Sequence, residues 1–127
     1  QVMPSTGARV AALMYRPDFR VERLLEPETN IRTGTFYMGK LLDRYEGQFP
    51  LAMGSYNGGP HNIGRWLRGK EGLALEDFVE EIGFDESRRY VKRVSRYYGV
   101  YTELYGQGSV IQIPAKTRTD VRSVINF

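Results

Sequence analysis

Hydrophobic side chains recur every three or four positions along the first hundred residues, an interval that places them on one face of an α-helix. Glycine and proline interrupt this pattern repeatedly, and both residue types are common where helices begin or end. The interrupted pattern predicts six successive helices, of which the last, running from Asp85 to Gly106, is the longest. Residues 5–105 are therefore predicted to be all-α.

The sequence also predicts where these helices begin and end. Ser5 or Thr6 is expected to cap the first helix. Thr29 or Asn30 is expected to cap the second helix, after a connector over residues 24–28. The remaining boundaries are expected at residues that stop a helix or favour its first turn: Pro17, Gly47, Pro50, Gly58, Gly59, Pro60, Gly69, Gly83, Asp85 and Gly106.

The hydrophobic pattern changes after Gly106. Residues 109–114 alternate as a strand does, and the residues that follow to position 119 are mostly polar. We therefore predict two parts, a helical domain over residues 1–105 and a C-terminal extension over residues 106–127. The extension is expected to be an extended arm that packs on the domain or reaches toward a neighbour, with disorder as the alternative.

Composition narrows the classes of function. With 127 residues, of which 41% are hydrophobic, the chain can build one buried core. No run approaches the roughly 18 apolar residues that a transmembrane helix needs, and no signal peptide opens the chain. Because cysteine is absent and histidine occurs once, disulfides and thiolate or imidazole metal sites are not expected. We predict neither a metal nor a cofactor.

The chain carries a formal net charge of +3, with basic clusters over residues 65–70 and 88–96. Basic surfaces suit polyanions, so nucleic acid and the anionic bacterial wall are both candidate partners. Such clusters are also common on the solvated faces of helices. Charge alone does not separate these interpretations.

Three short segments stand out by their order and spacing. They are Gln1-Val2-Met3-Pro4-Ser5-Thr6, Ser55-Tyr56-Asn57-Gly58-Gly59-Pro60 and Glu86-Ser87-Arg88-Arg89-Tyr90-Val91. They resemble the Gln-x-Met-Pro, Ala-Tyr-Asn-Ala-Gly-Pro and Glu-Thr-Arg-x-Tyr-Val motifs of the soluble lytic transglycosylase family, which is related to goose-type lysozyme. The segment from Pro27 to Gly34 is similar to the Pro-x-x-Asn-Ile-x-x-Gly helix of that family. The resemblance covers residues 1–105, with small-for-small departures at Gly54, Ser55, Gly59 and Ser87.

The resemblance implies a lysozyme-like helical fold and a peptidoglycan lytic transglycosylase, which cleaves the bond between N-acetylmuramic acid and N-acetylglucosamine. In that family one glutamate acts first as acid and then as base, while the C6 hydroxyl of the muramyl sugar attacks C1 and forms a 1,6-anhydro ring. That glutamate precedes the Gln-x-Met-Pro motif, so we expect it upstream of Gln1 in the parent protein. The 127 residues alone are then expected to be inactive.

The same resemblance implies peptidoglycan glycan strands as the partner, in the periplasm or cell envelope of a bacterium. A second expected partner is the missing N-terminal segment of the same protein, and nucleic acid is not expected. Two other functions stay open. One is a peptidoglycan-binding module without cleavage, and the less favoured one is a basic helical domain that binds nucleic acid. A glutamate at the family position before Gln1 would separate the enzyme from the binding module.

Four candidate site residues lie in the second and third motifs. The resemblance implies that the Tyr56 hydroxyl supports the reaction, whereas residue type alone favours a core tyrosine. Asn57 is expected either to bind an acetamido group or to cap the helix end. Glu86 is expected to contact substrate, although the helix dipole also favours a carboxylate in a first turn that has no function. Tyr90, one turn later, is expected to line the groove or the core.

Gln1 and Met3 match family positions that face the sugar subsites, where an amide can hydrogen-bond and a thioether can pack on a sugar ring. Trp66 is favoured as a core residue over a sugar-stacking one, since apolar residues surround it at helical spacing. The family context shared by three distant segments predicts that they border one groove. The predicted border consists of Gln1 to Pro4, Tyr56, Asn57 and Glu86.

Overall fold

The computed structural model describes residues 1–106 and 116–118. Its helices are α1 (Pro4–Leu13), a 3₁₀ helix (Val21–Leu25), α2 (Pro27–Arg44), α3 (Phe49–Gly58), α4 (Pro60–Leu67), α5 (Leu75–Glu80) and α6 (Asp85–Tyr105). Within the described residues the β-structure is limited to one isolated antiparallel bridge, between Ala74 and Lys116. The all-α prediction is confirmed, and the described residues contain the six α-helices that the sequence predicts.

Proline determines how four of the helices begin, because α1, α2, α3 and α4 each have proline in the first turn. Proline suits this position since its missing N–H has no partner there and its φ is already helical. α1 begins at Pro4 and α2 at Pro27, so the capping positions are Met3 and Glu26. The predicted caps were wrong, and these residues lie inside the first turns: Ser5, Thr6, Thr29 and Asn30. The predicted connector over 24–28 is likewise shorter, since only Glu26 separates the 3₁₀ helix from α2.

Asp85 is the first residue of α6 and does not cap it, because Phe84 occupies the capping position. The Asp85 carboxylate accepts a hydrogen bond from Arg88. Arg88 also donates to the carbonyl of Ile82 at 3.0 Å. The predicted cap was therefore wrong, and a side chain from the next turn binds this carboxylate instead.

The core lies around α3, which packs against α2, α4 and α6. Most of α3 is buried, and its side chains meet fully buried residues from the surrounding helices: Leu41, Tyr45, Ile63, Phe78, Ile82 and Val91. A helix as short as α5, at six residues, is not stable in isolation, so burial of its Phe78 against this core holds it in place. Trp66, predicted as a core residue, is half-buried and lies edge-on to Phe84 at the margin of the core.

A short piece of the predicted C-terminal extension packs on the helical domain. Thr117 is buried, its backbone N–H donates to the carbonyl of Leu73 at 2.7 Å, and its own carbonyl accepts from Gly72 at 3.0 Å. The backbone N–H of Arg118 donates to the side-chain oxygen of Gln48 at 2.8 Å. Residues 116–118 therefore join the α4–α5 loop to the α2–α3 turn. The strand-like run predicted over 109–114 lies outside the described residues.

None of the helices in the described ranges is both long enough and apolar enough to cross a membrane.

Candidate functional site

Tyr56 lies two residues before the end of α3, with its side chain half-buried. Its ring packs against Tyr37 of α2, with 5.4 Å between ring centroids. Its hydroxyl lies over Gly34, one α2 turn before Tyr37, so closely that a Cβ atom at position 34 would be 2.8 Å away. The absence of a side chain at position 34 therefore allows this hydroxyl to occupy its place.

The Tyr56 hydroxyl has no hydrogen-bond partner among the described residues. Burial raises the pKa of Tyr56 above its usual value of 10.0, and the neighbouring Tyr90 raises it further. The side chain is therefore a neutral phenol at physiological pH, and its proton is available to a ligand oxygen. A half-buried donor without a partner in the fold is a natural place for a ligand to bind.

Asn57, the next residue, is exposed and connects the end of α3 to the start of α6. The buried Ser87 hydroxyl donates to its side-chain oxygen at 2.7 Å. The backbones approach closely here, since a Cβ atom at Gly58 would lie 2.6 Å from the same hydroxyl. With its oxygen held by Ser87, the Asn57 side chain retains an NH₂ group that can donate to a ligand.

Two adjoining cavities meet at Tyr56 and Gln1, and we call them together the candidate groove. The first has a volume of about 350 Å³, and the predicted site residues among its lining are Gln1, Met3, Tyr56 and Asn57. The second has a volume of about 520 Å³ and is lined by Gln1, Tyr56 and Tyr90, together with residues of α2 such as Gly34 and Met38. Five of the six predicted site residues thus line these two cavities, and the walls come from the N-terminal segment, α1, α2, α3 and α6.

Glu86 is the predicted site residue that lines neither cavity. It is exposed in the first turn of α6, one turn before Tyr90 and on the same side of that helix. Its neighbour Ser87 makes the contact with Asn57. That Glu86 contacts the substrate stays a prediction. The contact would require a ligand that extends beyond the groove along α6.

Sequence reasoning missed Asn30 as a residue that positions the groove. The Asn30 side chain donates to the carbonyl of Leu24 at 2.8 Å, and its oxygen accepts from the backbone nitrogen of Gln1 at 3.1 Å. Asn30 therefore ties the first motif to α2. Asn30 and Gly34 lie four residues apart, which places them on one face of α2. Their spacing in the Pro-x-x-Asn-Ile-x-x-Gly pattern is the signal that could have identified both.

The groove has an uneven distribution of charge. Arg9 of α1 lines the first cavity and was not predicted. Within the described residues no aspartate or glutamate lines either cavity. The groove can therefore bind neutral or anionic polar groups through amide, phenol and guanidinium donors, but its described lining offers no carboxylate to act as a proton donor.

The basic clusters predicted from the sequence are partly neutralised inside the fold. In the second cluster Arg88 pairs with Asp85, and the Lys92 ammonium lies 2.6 Å from a carboxylate oxygen of Glu80. In the first cluster Lys70 pairs with Glu81. Three of the eight basic residues in these clusters thus form ion pairs within the described part of the chain.

The chain was compared with known protein families, and the matched region contains the first two motifs. Residues 1–79 match the family described as the Transglycosylase SLT domain. The chain is 38% identical over 109 residues to the soluble lytic murein transglycosylase of Salmonella typhimurium, covering 84% of this chain and 17% of that protein. The protein of the same name from Escherichia coli is 33% identical over 108 residues, with the same two coverages of 84% and 17%. The chain thus spans less than a fifth of the length of these curated relatives.

Two solved structures share the fold. An inactive glutamate-to-glutamine mutant of the lytic transglycosylase Slt from Pseudomonas aeruginosa superposes with a TM-score of 0.77 at 32% identity, covering 87% of this chain and 18% of that chain. The 70 kDa soluble lytic transglycosylase of Escherichia coli also gives a TM-score of 0.77, at 33% identity, with coverages of 84% and 18%. At these identities and scores, the helices described here adopt the fold that these proteins share, as the resemblance implied.

Proposed function

The chain belongs to the transglycosylase SLT domain family, and on that premise we propose that it is the glycan-binding and supporting part of a peptidoglycan lytic transglycosylase. The proposed reaction cleaves the bond between N-acetylmuramic acid and N-acetylglucosamine and leaves a 1,6-anhydro muramyl end. The observation that carries the proposal is the Tyr56 hydroxyl, a neutral donor without a partner among the described residues, at the meeting point of the two cavities.

The reaction can be written as a balanced exchange of bonds. A glutamate donates its proton to the glycosidic oxygen, the bond from C1 to that oxygen breaks, and positive charge develops at C1. The C6 hydroxyl of the same sugar then forms a bond to C1 and gives its proton to the glutamate, which is thereby restored. One carboxylate is sufficient. We propose that it lies outside residues 1–127, since none of the described carboxylates lines the groove.

Tyr56 is proposed to donate a hydrogen bond to a sugar oxygen near the bond that breaks. Such a donor lowers the barrier when it is already oriented, because no reorganisation is then needed during the reaction. The contact of its ring with Tyr37 and the position of its hydroxyl over Gly34 provide that orientation. The Asn57 NH₂ group is proposed to donate to an acetamido carbonyl, and this direction agrees with the hydrogen bond that its oxygen accepts from Ser87.

The remaining site residues are proposed to bind the strand on either side of Tyr56. Gln1 and Met3 lie in the first cavity, where an amide and an exposed thioether suit the polar rim and the apolar face of a sugar ring. Tyr90 lies in the second cavity. We place the substrate, and therefore the protein, in the periplasm or cell envelope of a bacterium.

The experiment uses the parent protein with purified peptidoglycan and identifies the released products by mass spectrometry. Anhydro-muropeptides are expected from the parent protein, and replacing the upstream glutamate by glutamine should abolish them. The isolated 127 residues should release none. Anhydro products from the isolated chain would instead locate the acid within residues 1–127, with Glu86 as the first candidate. Muropeptides with ordinary reducing ends would contradict the proposed reaction.

A binding module without cleavage is the second candidate, and the groove without a carboxylate in its described lining favours it. A parent protein that binds peptidoglycan and releases no product would establish this function. The pairing of Arg88, Lys92 and Lys70 with acidic side chains reduces the positive charge that the two basic clusters offer to nucleic acid. Binding to DNA with a steep dependence on salt, together with no binding to peptidoglycan, would restore that alternative.

A further inference from the structure

A row of tyrosines continues from the groove along α6. Tyr90 lines the second cavity. Tyr97, Tyr101 and Tyr105 follow it after seven, four and four residues, or about two turns, one turn and one turn of helix, so all four lie on one side of α6. We call these four residues the tyrosine row. At a rise of about 1.5 Å per residue, it extends about 22 Å from the groove.

The outer part of the row is exposed and contributes little to the core. The exposed fractions are 57% for Tyr97, 63% for Tyr101 and 71% for Tyr105. The rings of Tyr101 and Tyr105 pack against each other, with 5.7 Å between centroids and an angle of 35° between planes. By contrast, Tyr98 on the neighbouring side of the helix packs on Phe49 at 4.7 Å. The core therefore takes Tyr98 and leaves Tyr97, Tyr101 and Tyr105 exposed.

Arg93 distinguishes this surface from a docking site for an apolar helix. It lies on the same side of α6, one turn after Tyr90 and one turn before Tyr97, and it forms no ion pair with the residues that the structure describes. An apolar partner would bury this guanidinium without a counter-charge, which is strongly unfavourable. A hydrated ligand with oxygen acceptors and anionic groups would leave it solvated or would pair with it.

Tyrosine suits a sugar chain for a related reason. Its ring offers an apolar face and its hydroxyl a polar edge, whereas a pyranose ring has apolar C–H faces and hydroxyls around its rim. Rings repeated at intervals of one or two helical turns can contact several sugars of one strand. We infer that the tyrosine row is a second binding surface for the glycan, continuous with the groove, that holds the part of a peptidoglycan strand lying beyond the cleaved bond.

This inference rests on the proposed function, and substrate length provides its test. The variant is Tyr97→Ala with Tyr101→Ala in the parent protein, and Tyr15→Ala is the control. Tyr15 is 91% exposed and follows α1, so it is not part of α6. Affinity is measured on insoluble peptidoglycan sacculi, turnover on a short muropeptide that can fill the groove alone, and the midpoint of thermal unfolding on each protein.

The row variant should bind sacculi about tenfold more weakly, in line with the loss of aromatic contacts at an interface. Its turnover of the short substrate and its thermal midpoint should match those of the wild type, as should every property of the control. Wild-type binding of sacculi by the row variant would overturn the inference and leave the proposed function intact. A large loss of thermal stability would also overturn it, since the row would then pack against another part of the parent protein. A wild-type protein without activity on either substrate would overturn the proposed function itself.

Discussion

The α2–α3 junction and the C-terminal end of α3 each carry a tyrosine hydroxyl, and only the first is buried and has a hydrogen-bond partner among the described residues. At the junction Tyr45 is 1% exposed, and its hydroxyl accepts a hydrogen bond from the buried Ser55 at 2.6 Å. Tyr56, the residue after Ser55, has its hydroxyl over Gly34 at the groove. The hydroxyls of these two adjacent residues thus have different surroundings.

The junction shows how a buried polar cluster is satisfied. Gln48 is 0% exposed, its amide nitrogen donates to the carbonyl of Tyr45 at 3.0 Å, and its oxygen accepts from the backbone of Arg118. Each such bond contributes about 1 kcal/mol of net stability, whereas an unsatisfied buried group costs more. Polar groups paired in this way support the fold. The unpaired donor at the groove is the one available for chemistry.

The largest effect is expected for Tyr56→Phe in the parent protein, which tests whether the Tyr56 hydroxyl differs in role from that of Tyr45. If its hydroxyl serves the reaction, turnover should fall about a hundredfold, since one oriented donor would be removed. The free energy of unfolding should hardly change, because the ring keeps its contact with Tyr37. Initial rates and denaturant unfolding measure the two effects separately. An unchanged rate with a large loss of stability would make Tyr56 a core residue like Tyr45.

The dependence of stability on alkaline pH tests the surroundings of Tyr37, whose ring packs against Tyr56. Burial is the main cause that raises the pKa of Tyr37 from 10.0 to about 12. Because the folded-state pKa is the higher one, this contribution to stability is complete below pH 10 and is lost as pH rises through 12. A shift of this size corresponds to a decrease on the order of 2 to 3 kcal/mol in the free energy of unfolding. Denaturant unfolding at several pH values measures it.

Tyr37→Phe is the matched control for the alkaline loss, since it removes the titrating group and keeps the ring. The free energy of unfolding of this variant should decrease less between pH 10 and pH 12 than that of the wild type. Equal decreases in the two proteins would assign the loss to other groups.

At the junction, Tyr45→Phe should lower the free energy of unfolding by about 2 kcal/mol, because it leaves the buried Ser55 hydroxyl without a partner. Adding Ser55→Ala should recover part of that loss, since the unsatisfied group is then absent. The rate per folded molecule should stay unchanged in both variants. A double-mutant cycle of unfolding free energies, together with rates corrected for the folded fraction, tests this prediction. Purely additive losses would contradict it.

The smallest effect is expected for Gly34→Ala, which would place a methyl group 2.8 Å from the Tyr56 hydroxyl. Turnover should fall about tenfold through displacement of that hydroxyl, since catalysis is sensitive to small errors of position. Gly64→Ala in α4 is the control, because no neighbouring atom lies within 4 Å of a Cβ atom there and Gly64 lines neither cavity of the groove. The two variants should show similar thermal midpoints. Equal turnover in both would show that Gly34 does not position Tyr56.

The six α-helices of the described residues followed from the sequence, while the first residues of α1, α2, α3 and α6 did not. The apolar period along α6 is a local property, readable without neighbours. At the start of α2, proline and a potential cap competed within three residues, and Pro27 determined the boundary. For the site, the motifs identified Tyr56 and Asn57. The motifs did not identify Ser87 as the hydrogen-bond partner of Asn57, or Arg9 as a residue that lines the groove. Both contacts depend on how distant helices approach one another.

By itself, the sequence determined the helical class of this chain, its family and the segments that carry its motifs, because each depends on residues close together along the chain. The tertiary structure alone decided which polar groups are satisfied. Ser55 and Tyr56 are adjacent in sequence, yet one hydroxyl is buried against Tyr45 and the other lies over Gly34. The physical reason is that α3 packs between other helices, so consecutive side chains point to different neighbours, and only the packing determines whether a hydroxyl finds a partner or remains available to a ligand.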